Sequence, residues 1–261
     1  NAIDYNEDLD QIIISSRFQD EVYIIDHSTT TEEAAGHTGG NSGKGGDFLY
    51  RWGKPQNYDR GNISNHILGD QHSINWIPEG SPGQGNLICY VNQYEGGNSP
   101  SAVIEFIPPI QDDGTYYIEE GEPYGPSVPE WIVEATNQFN FSTSMQGGSF
   151  RLPNGNTLIT DCDDATIYQI NADGEVEFDY IQSGNNVMIA RAQSYSPEYF
   201  DFMQGEPGDV NGDQIINVLD VVQTINMILG TQEVNYLADL NNDSIVNILD
   251  VVQLINLVLS P

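Results

Sequence analysis

The hydrophobic pattern divides the chain into a long part with short apolar runs and a short part with a helical period. In residues 1–205, short runs rich in β-branched and aromatic residues are bounded by Gly, Pro, Asn and Asp, which is typical of strands separated by turns. Examples of the predicted strands are Gln11–Ser15, Glu21–Ile25, Asp47–Trp52, Asn86–Val91, Ser101–Ile107 and Thr157–Thr160. No run in this part keeps a helical period. We therefore predict a mainly β fold here.

A hairpin and a weak repeat indicate how these strands are organised. Thr166–Ile170 and Glu175–Tyr180 flank a turn of Asn, Ala, Asp and Gly, which predicts a β-hairpin. The string Gly85–Ile88 returns 70 residues later as Gly155–Ile159. Repeated four-strand units with glycine turns are typical of propeller blades, and we count about three. A propeller closes with four to eight blades, so we expect further blades upstream. A β-sandwich is the alternative.

The C-terminal part is an internal repeat. Asp209–Gly230 and Asp239–Ser260 align at a period of 30, with 13 of 22 positions identical. In each copy a polar loop precedes an apolar helix of about three turns. Apolar residues recur at helical spacing at Leu219, Val222, Ile225, Leu229, Leu249, Val252, Ile255 and Leu259. Turn-forming residues predict a linker at 196–208 between a domain at 1–195 and a domain at 209–261.

Each repeat carries the spacing D-x-N-x-D-x-x-x-N-x-x-D. The side chains are Asp209, Asn211, Asp213, Asn217, Asp220, Asp239, Asn241, Asp243, Asn247 and Asp250, and position 7 offers the backbone carbonyls of Ile215 and Ile245. Calcium takes six to eight oxygen ligands, which these loops can supply, so we predict two bound calcium ions. Three carboxylates crowded in one loop should couple binding to folding. Position 6, usually Gly, holds Gln214 and Ser244.

These loops and helices resemble the type I dockerin module, a duplicated loop–helix calcium motif, over about the last 53 residues. The resemblance implies a small helical, EF-hand-like domain that binds cohesin modules and attaches a secreted protein to a scaffold or cell surface. Family recognition residues at loop positions 10 and 11 are often Ser or Thr. Here they are Val218-Leu219 and Ile248-Leu249. We expect this apolar patch to meet the β part, a cohesin-like module or another copy of the chain, in two equivalent orientations.

Several strings in residues 1–185 resemble the arylsulfotransferase family of β-propellers. They include Asp4-Tyr5-Asn6, Gln71-His72 and Arg151–Ile159. The resemblance implies part of a six-bladed, secreted propeller that moves a sulfuryl group between phenols through a sulfohistidine. His72 matches a channel histidine of the family, although Ser73 stands where Asp usually follows. The family arginine is expected near Ala102 and is absent. The catalytic set in this chain is therefore incomplete, which indicates a partial or degenerate propeller.

The charge and the cysteine content exclude several classes of binding partner. The chain has 39 acidic and 7 basic residues, a formal net charge of -32, so it has no basic surface for nucleic acid or for an anionic membrane. The excess of acidic residues favours the binding of cations. No apolar run approaches the roughly 18 residues of a membrane span. Cys89 and Cys162 lie too far apart for a zinc site, and the sequence leaves open whether they pair. The absence of Met at Asn1 indicates a mature or truncated product.

We therefore predict a secreted modular protein in which a calcium-binding, dockerin-like module attaches or assembles a sulfotransferase-like propeller. One alternative is an active, nucleotide-independent arylsulfate sulfotransferase with His72 in its channel. A second is an extracellular structural protein whose copies join through the apolar helices.

Overall fold

The computed structural model describes residues 1–97, 100–136, 139–184, 186–195, 205–243 and 245–259. The chain forms two compact units, Asn1–Ser194 (the β unit) and Tyr195–Pro261 (the helical unit). Most of the predicted linker, residues 196–204, lies outside the described residues.

The β unit contains three four-stranded antiparallel sheets, and in each sheet the strands follow one another in chain order. Sheet I holds β1 (Ala2–Asn6), β2 (Gln11–Ser16), β3 (Glu21–Asp26) and β4 (Tyr50–Trp52). Sheet II holds β5 (His72–Trp76), β6 (Leu87–Val91), β7 (Ala102–Phe106) and β8 (Trp131–Glu134). Sheet III holds β9 (Gly148–Arg151), β10 (Thr157–Asp161), β11 (Thr166–Ile170) and β12 (Val176–Ile181). This confirms the prediction of a mainly β fold with three four-stranded units.

Among the described residues of the β unit, helical structure is limited to single turns. Helix α1 (Thr31–Ala34) begins with a capping box between Thr30 and Glu33. The 3-10 turns are Arg17–Gln19, Pro55–Tyr58 and Ile63–Asn65. The segment Tyr94–Gly97 is a turn rather than a regular helix, because two of its residues have left-handed backbone angles. The described part of residues 1–195 thus contains no helix longer than one turn, as the sequence led us to expect.

The sheets pack face to face, with sheet II in the middle. One face of sheet II packs on sheet I around Trp52, Phe106 and Ile24, and its other face packs on sheet III around Tyr90 and Ile159. Strand β5 contacts β1 and β2, and β9 contacts β5 and β6. An ion pair of 2.7 Å between Arg151 Nη2 on β9 and Glu105 Oε2 on β7 joins sheets II and III. Within the described residues the hydrogen-bonded strands form three separate sheets.

Among its described residues, the helical unit contains the helices α2 (Val218–Ile228) and α3 (Ile248–Leu259) and a 3-10 turn at Tyr236–Ala238. Their lengths of 11 and 12 residues confirm the three-turn prediction. The core consists of two small clusters. Val210, Met227 and Ala238 pack with Val246, and Val221, Val251 and Leu254 pack with Ile216, Leu240 and Val258. Each cluster therefore draws residues from both repeats.

The two helices are apolar on their outer sides as well. The inner face of α2 consists of Asp220, Val221, Thr224 and Met227, all buried. The outer face carries exposed Val218, Leu219, Val222, Ile225 and Leu229, and α3 repeats this with Ile248, Leu249, Val252, Ile255 and Leu259. Among the described residues, the structure contains no helix that is long and apolar enough to span a membrane.

Candidate functional site

The first loop of the helical unit is folded around its own carboxylates. Asp209 is buried, and its Oδ1 accepts the backbone N–H groups of Gly212 and Asp213 at 2.9 and 3.1 Å. Its Oδ2 accepts the N–H of Gln214 at 2.8 Å. Asp213 Oδ1 accepts the N–H of Ile215 at 2.9 Å. Hydrogen bonds thus link loop positions 1, 5 and 7, because successive backbone N–H groups point at the side chains of Asp209 and Asp213.

Asp220, at position 12, closes the loop from the first turn of α2. Its carboxylate is fully buried, and Oδ1 accepts the N–H groups of Val210 and Asn211 at 2.9 and 3.1 Å. Its Oδ2 accepts the N–H of Asn217 at 2.8 Å as part of a capping box. The negative charge of Asp220 also interacts favourably with the positive end of the α2 helix dipole. Asp220 therefore holds the start and the end of the loop together.

The second loop repeats this arrangement 30 residues later. Asp250 is fully buried and accepts the N–H groups of Leu240 at 3.0 Å, Asn241 at 3.3 Å and Asn247 at 2.8 Å. Asp243 accepts the N–H of Ile245 at 2.9 Å. Further hydrogen bonds join Asp243 to Asp239 and Asn241. The sequence repeat is therefore also a repeat of hydrogen-bond geometry.

Position 6 of the first loop has the backbone of a glycine site. Gln214 has a φ of 67°, in the left-handed region that side chains with a Cβ disfavour. A residue with a Cβ at this position therefore strains the turn. The equivalent Ser244 lies outside the described residues.

The donor set of each loop consists of oxygen atoms, which suits a hard cation such as calcium. Asn217 Oδ1 accepts the N–H of Leu219 at 2.7 Å as the helix cap, and its Nδ2 donates to the Ile215 carbonyl at 3.0 Å. Asn247 does the same in the second loop. Within the described residues, no three carboxylate, imidazole or thiol groups could by themselves hold a metal ion. Amide and carbonyl oxygens are therefore needed to complete either set.

His72 lies at the start of β5 in the β unit, and it is largely buried. Its Nδ1 is 2.9 Å from the carbonyl of Asp70 and 2.8 Å from Oδ1 of Asn92. The Asn92 amide is oriented by donating Nδ2 to the carbonyls of Thr143 and Gln146. Because both neighbours of Nδ1 are acceptors, Nδ1 carries the proton and Nε2 carries the lone pair.

Burial and strain distinguish the surroundings of His72. Burial lowers the pKa of His72, opposed by its hydrogen bonds to Asn92 and Asp70, and the positive charge of Arg17 lowers it further. The next residue, Ser73, has a φ of 56°, and the register between β5 and β6 shifts between His72 and Asn75. Such bulges re-aim side chains and are frequent beside functional sites. Sequence reasoning missed Asn92 and Arg17, since neither belongs to a recognisable motif.

The remaining residues singled out in the sequence have structural positions. Ala102, near the expected family arginine, is fully buried on β7. Cys89 and Cys162 are both buried and free, which answers the pairing question left open by the sequence. Cys89 lies in the core between sheets I and II.

Comparison with known proteins identifies one part of the chain. Residues 207–259 match the family model for the dockerin type I domain. Type I dockerin domains bind calcium, they bind cohesin modules, and they occur in extracellular or cell-surface proteins. A search of curated proteins gives no match to the chain. No family or homologue match supports the arylsulfotransferase resemblance of the β unit. The helical unit therefore contains a type I dockerin module, with calcium-type loops and two exposed apolar helix faces.

Proposed function

We propose that this protein is a secreted, calcium-dependent attachment protein in which the dockerin module docks onto a cohesin-like partner and carries the β unit as its cargo. The observation that carries the proposal is the pair of exposed apolar faces on α2 and α3, each beginning at loop positions 10 and 11. Leu219 is 56 % exposed and its counterpart Leu249 is 58 % exposed. Apolar side chains held this far out of a small core are typical of a binding surface.

The loops hold two calcium ions in this proposal. Asp209, Asn211, Asp213 and Asp220 supply side-chain oxygens in the first loop, and Ile215 supplies its carbonyl. The second set is Asp239, Asn241, Asp243, Asp250 and the carbonyl of Ile245. Asn217 and Asn247 already cap the helices, so they act on the ion through water. A bound ion offsets the repulsion among the carboxylates and thereby fixes the entry to each recognition helix.

The apolar recognition positions favour a partner with an apolar docking surface. Val218 and Leu219 stand where family members often have hydroxyl side chains, so a hydroxyl-specific cohesin would lose hydrogen bonds here. Because α2 and α3 present equivalent residues, the partner can dock in either of two orientations. A second copy of the chain, joined through the same helices, is the competing occupant of this surface.

The attachment proposal is tested with the full chain. Titration calorimetry should show two calcium ions per chain, and immobilised cohesin modules of differing surface polarity should retain the chain in calcium and release it in chelator. The double variant Leu219→Asp with Leu249→Asp should lose binding while still taking up calcium. Phe18→Asp, which changes an exposed residue of the β unit, is the matched control and should bind normally. No calcium uptake, or binding that survives chelator, would contradict the proposal.

A second candidate function is sulfuryl transfer between phenols by the β unit. The observation that favours it is the tautomer of His72, whose Nε2 lone pair is free to attack because Nδ1 donates to Asp70 and Asn92. The three sheets would then be consecutive blades of a propeller, with β1, β5 and β9 as neighbouring first strands. Transfer from an aryl sulfate to a phenol should be abolished by His72→Asn and retained by His66→Asn. If neither the unaltered chain nor the His66→Asn variant transfers the sulfuryl group, this candidate function is ruled out.

A further inference from the structure

The first dockerin loop contains an asparagine that is directly followed by glycine. Asn211 is loop position 3, where the proposed function places a calcium ligand, and Gly212 is position 4. Elsewhere in the sequence, Asn154 is the one other asparagine followed by glycine. In the second loop the residue equivalent to Gly212 is Asn242. The two loops therefore differ in a residue that controls the chemical stability of the asparagine before it.

The reaction that this pair favours is deamidation. The backbone nitrogen of Gly212 loses its proton to water and forms a bond to Cγ of Asn211, and the side-chain amide nitrogen takes up a proton and leaves as ammonia. Water then opens the resulting succinimide ring at either carbonyl, which leaves aspartate or isoaspartate at position 211. Glycine has no Cβ that would obstruct the attacking nitrogen, whereas every other residue has one.

In the structure, each group that takes part in this reaction is held by a hydrogen bond. The N–H of Gly212 donates to Oδ1 of Asp209 at 2.9 Å. Asn211 Oδ1 accepts the N–H of Asp213 at 2.8 Å, and Asn211 Nδ2 donates to Oδ2 of Asp213 at 3.0 Å. Ring closure must break these bonds, so it requires the loop to open.

The hydrogen bonds that protect Asn211 end on carboxylates that repel one another. Asp209 and Asp213 both accept backbone N–H groups inside the loop, and Asp220 closes it. A calcium ion offsets this repulsion, so its removal favours the open loop. Gly212 is exposed, so water reaches the reacting pair once the loop opens.

We propose that Asn211-Gly212 is a deamidation site that bound calcium protects, so that a chain without calcium progressively and irreversibly loses its first loop. This rests on the calcium binding of the proposed function. Aspartate at position 211 keeps an oxygen ligand. Isoaspartate adds a methylene group to the backbone between Asp209 and Asp213, which changes the ligand spacing that calcium requires. Chains with isoaspartate therefore cannot refill the loop.

The pair Asn154-Gly155 lies in the turn between β9 and β10 and provides an internal control. Asn154 is exposed, and its Oδ1 accepts the N–H of Asn156 at 3.1 Å. The N–H of Gly155 donates to the carbonyl of Leu152 at 2.9 Å. These two bonds involve amide groups and no carboxylate, so calcium should not change their strength. Deamidation at Asn154 should have the same rate with and without calcium.

Calcium sets the rate at Asn211 through the population of the open loop. A ligand that binds only the closed loop stabilises it by a factor of 1 + [Ca²⁺]/Kd, which is about 100 when free calcium is about 100 times Kd. The deamidation rate follows the open population, since local opening precedes the reaction. At that calcium concentration the rate should fall by at least about tenfold.

The test is mass spectrometry of peptides from the full chain, sampled during incubation in calcium or in chelator. Deamidation replaces an amino group by a hydroxyl group, and fragment masses locate this change to one residue. We expect Asn211 to react at least about tenfold faster in chelator, and Asn154 to react equally in both. Titration calorimetry of the aged chain should show calcium binding lost in proportion to the isoaspartate formed.

The second loop supplies the matched variant, Gly212→Asn. Asn242 has a φ of 54°, so asparagine accepts the left-handed backbone that Gly212 has at a φ of 73°. A Cβ built on Gly212 meets nothing within 4 Å. The variant keeps every proposed ligand and should take up calcium. In chelator its Asn211 should react at least about tenfold more slowly, because the new side chain obstructs the attacking nitrogen.

The outcomes separate this inference from the proposed function. Equal rates at Asn211 in calcium and in chelator would overturn the inference, as would equal rates in the unaltered chain and in Gly212→Asn. If calorimetry shows no calcium uptake, the inference and the proposed function both fail. A calcium-dependent rate at Asn211 without retention by any cohesin module would support the inference and contradict the attachment proposal alone.

Discussion

The β unit and the helical unit are stabilised in different ways. In the β unit, sheet II lies between two layers of large side chains, with Trp52 stacked on Phe106 at 4.0 Å between ring centroids. In the helical unit the apolar clusters are small, and buried Asp220 and Asp250 hold the loops through backbone N–H groups. The first unit therefore depends on packing, and the second depends on charge placed among donors. Substitutions and conditions that affect one should leave the other intact.

The largest effect is expected from truncating the core of the β unit. Trp52→Ala removes the stacking on Phe106 and the hydrogen bond from Nε1 to the carbonyl of Pro126, 2.8 Å long. We expect a loss of about 3–5 kcal/mol in the free energy of unfolding. Urea denaturation followed by the fluorescence of Trp76 and Trp131 measures it. Helical circular dichroism from the dockerin module should keep its own midpoint, and a common shift would show that the two units unfold together.

A somewhat smaller loss is expected in the helical unit from Asp220→Ala. Three backbone N–H groups lose their acceptor, at about 1–3 kcal/mol for a buried unsatisfied donor, and relaxation to water reduces the total to about 2–4 kcal/mol. The readout is the thermal midpoint of the helical signal at 222 nm, with and without calcium.

The matched control for this substitution is Glu233→Ala, since Glu233 is an exposed acid of the same unit outside both loops. It should leave the helical midpoint unchanged. Equal effects of the two substitutions would mean that net charge, rather than the hydrogen bonds of Asp220, stabilises the module.

The comparison also predicts a pH dependence of the stability of the β unit. Burial raises the pKa of Asp161 to about 6, and its Oδ2 has no hydrogen-bond partner among the described residues. In the unfolded chain the pKa is about 3.9, so the folded state holds the proton between these values. The contribution to stability is complete below about pH 4 and is lost as the pH rises to about 6, with a total of about 3 kcal/mol.

Asp161→Asn should flatten this pH profile, measured by tryptophan fluorescence in urea from pH 4 to pH 7. Asp173→Asn, at an exposed acid of the turn between β11 and β12, should preserve the profile, because Asp173 is not among the groups that shift the pKa of Asp161. A slope that is unchanged in the first variant would assign the titration to another group.

The smallest effects are expected at the strained turn of the first dockerin loop. Gln214→Gly removes the left-handed strain of a residue with a Cβ, about 1–2 kcal/mol, but the greater chain entropy of unfolded glycine costs about 0.5–1 kcal/mol, so the net gain is between about 0 and 1.5 kcal/mol. Gly212→Ala, at a φ of 73° with open space around it, should lose about 1 kcal/mol. The first variant should raise the thermal midpoint of the helical signal and the second should lower it. Shifts in the same direction would contradict the interpretation that Gln214 is strained.

The sequence predicted strands well where apolar runs end in turn residues. The hairpin of β11 and β12 is an example, with Thr166–Ile170 placed to the residue and its partner shifted by one. Asp47–Trp52 was predicted too long, because only Tyr50–Trp52 pairs with β3. Strands β1, β5, β8 and β9 were not among the predicted strands, since these segments become strands through pairing with their neighbours. Tertiary pairing decided these cases.

At the candidate sites the sequence predicted composition and could not predict contacts. The repeat spacing identified the acidic loops, whereas the capping role of Asn217 depends on hydrogen-bond geometry. Helical periodicity located α2 and α3 but could not tell which side is buried, because both sides are apolar. Likewise, a single histidine in a string gave no sign of the Asn92 amide that fixes its tautomer.

The two dockerin repeats share their apolar clusters, and this sharing affects how the two loops bind calcium. Val210 of the first loop packs in one cluster with Val246 of the second, and Leu240 of the second packs in the other cluster with Ile216 of the first. When one loop becomes ordered, it therefore places apolar side chains against which the other loop packs. Calcium uptake should accordingly be cooperative, and half a module cut from the chain should be an unstructured peptide at any calcium concentration.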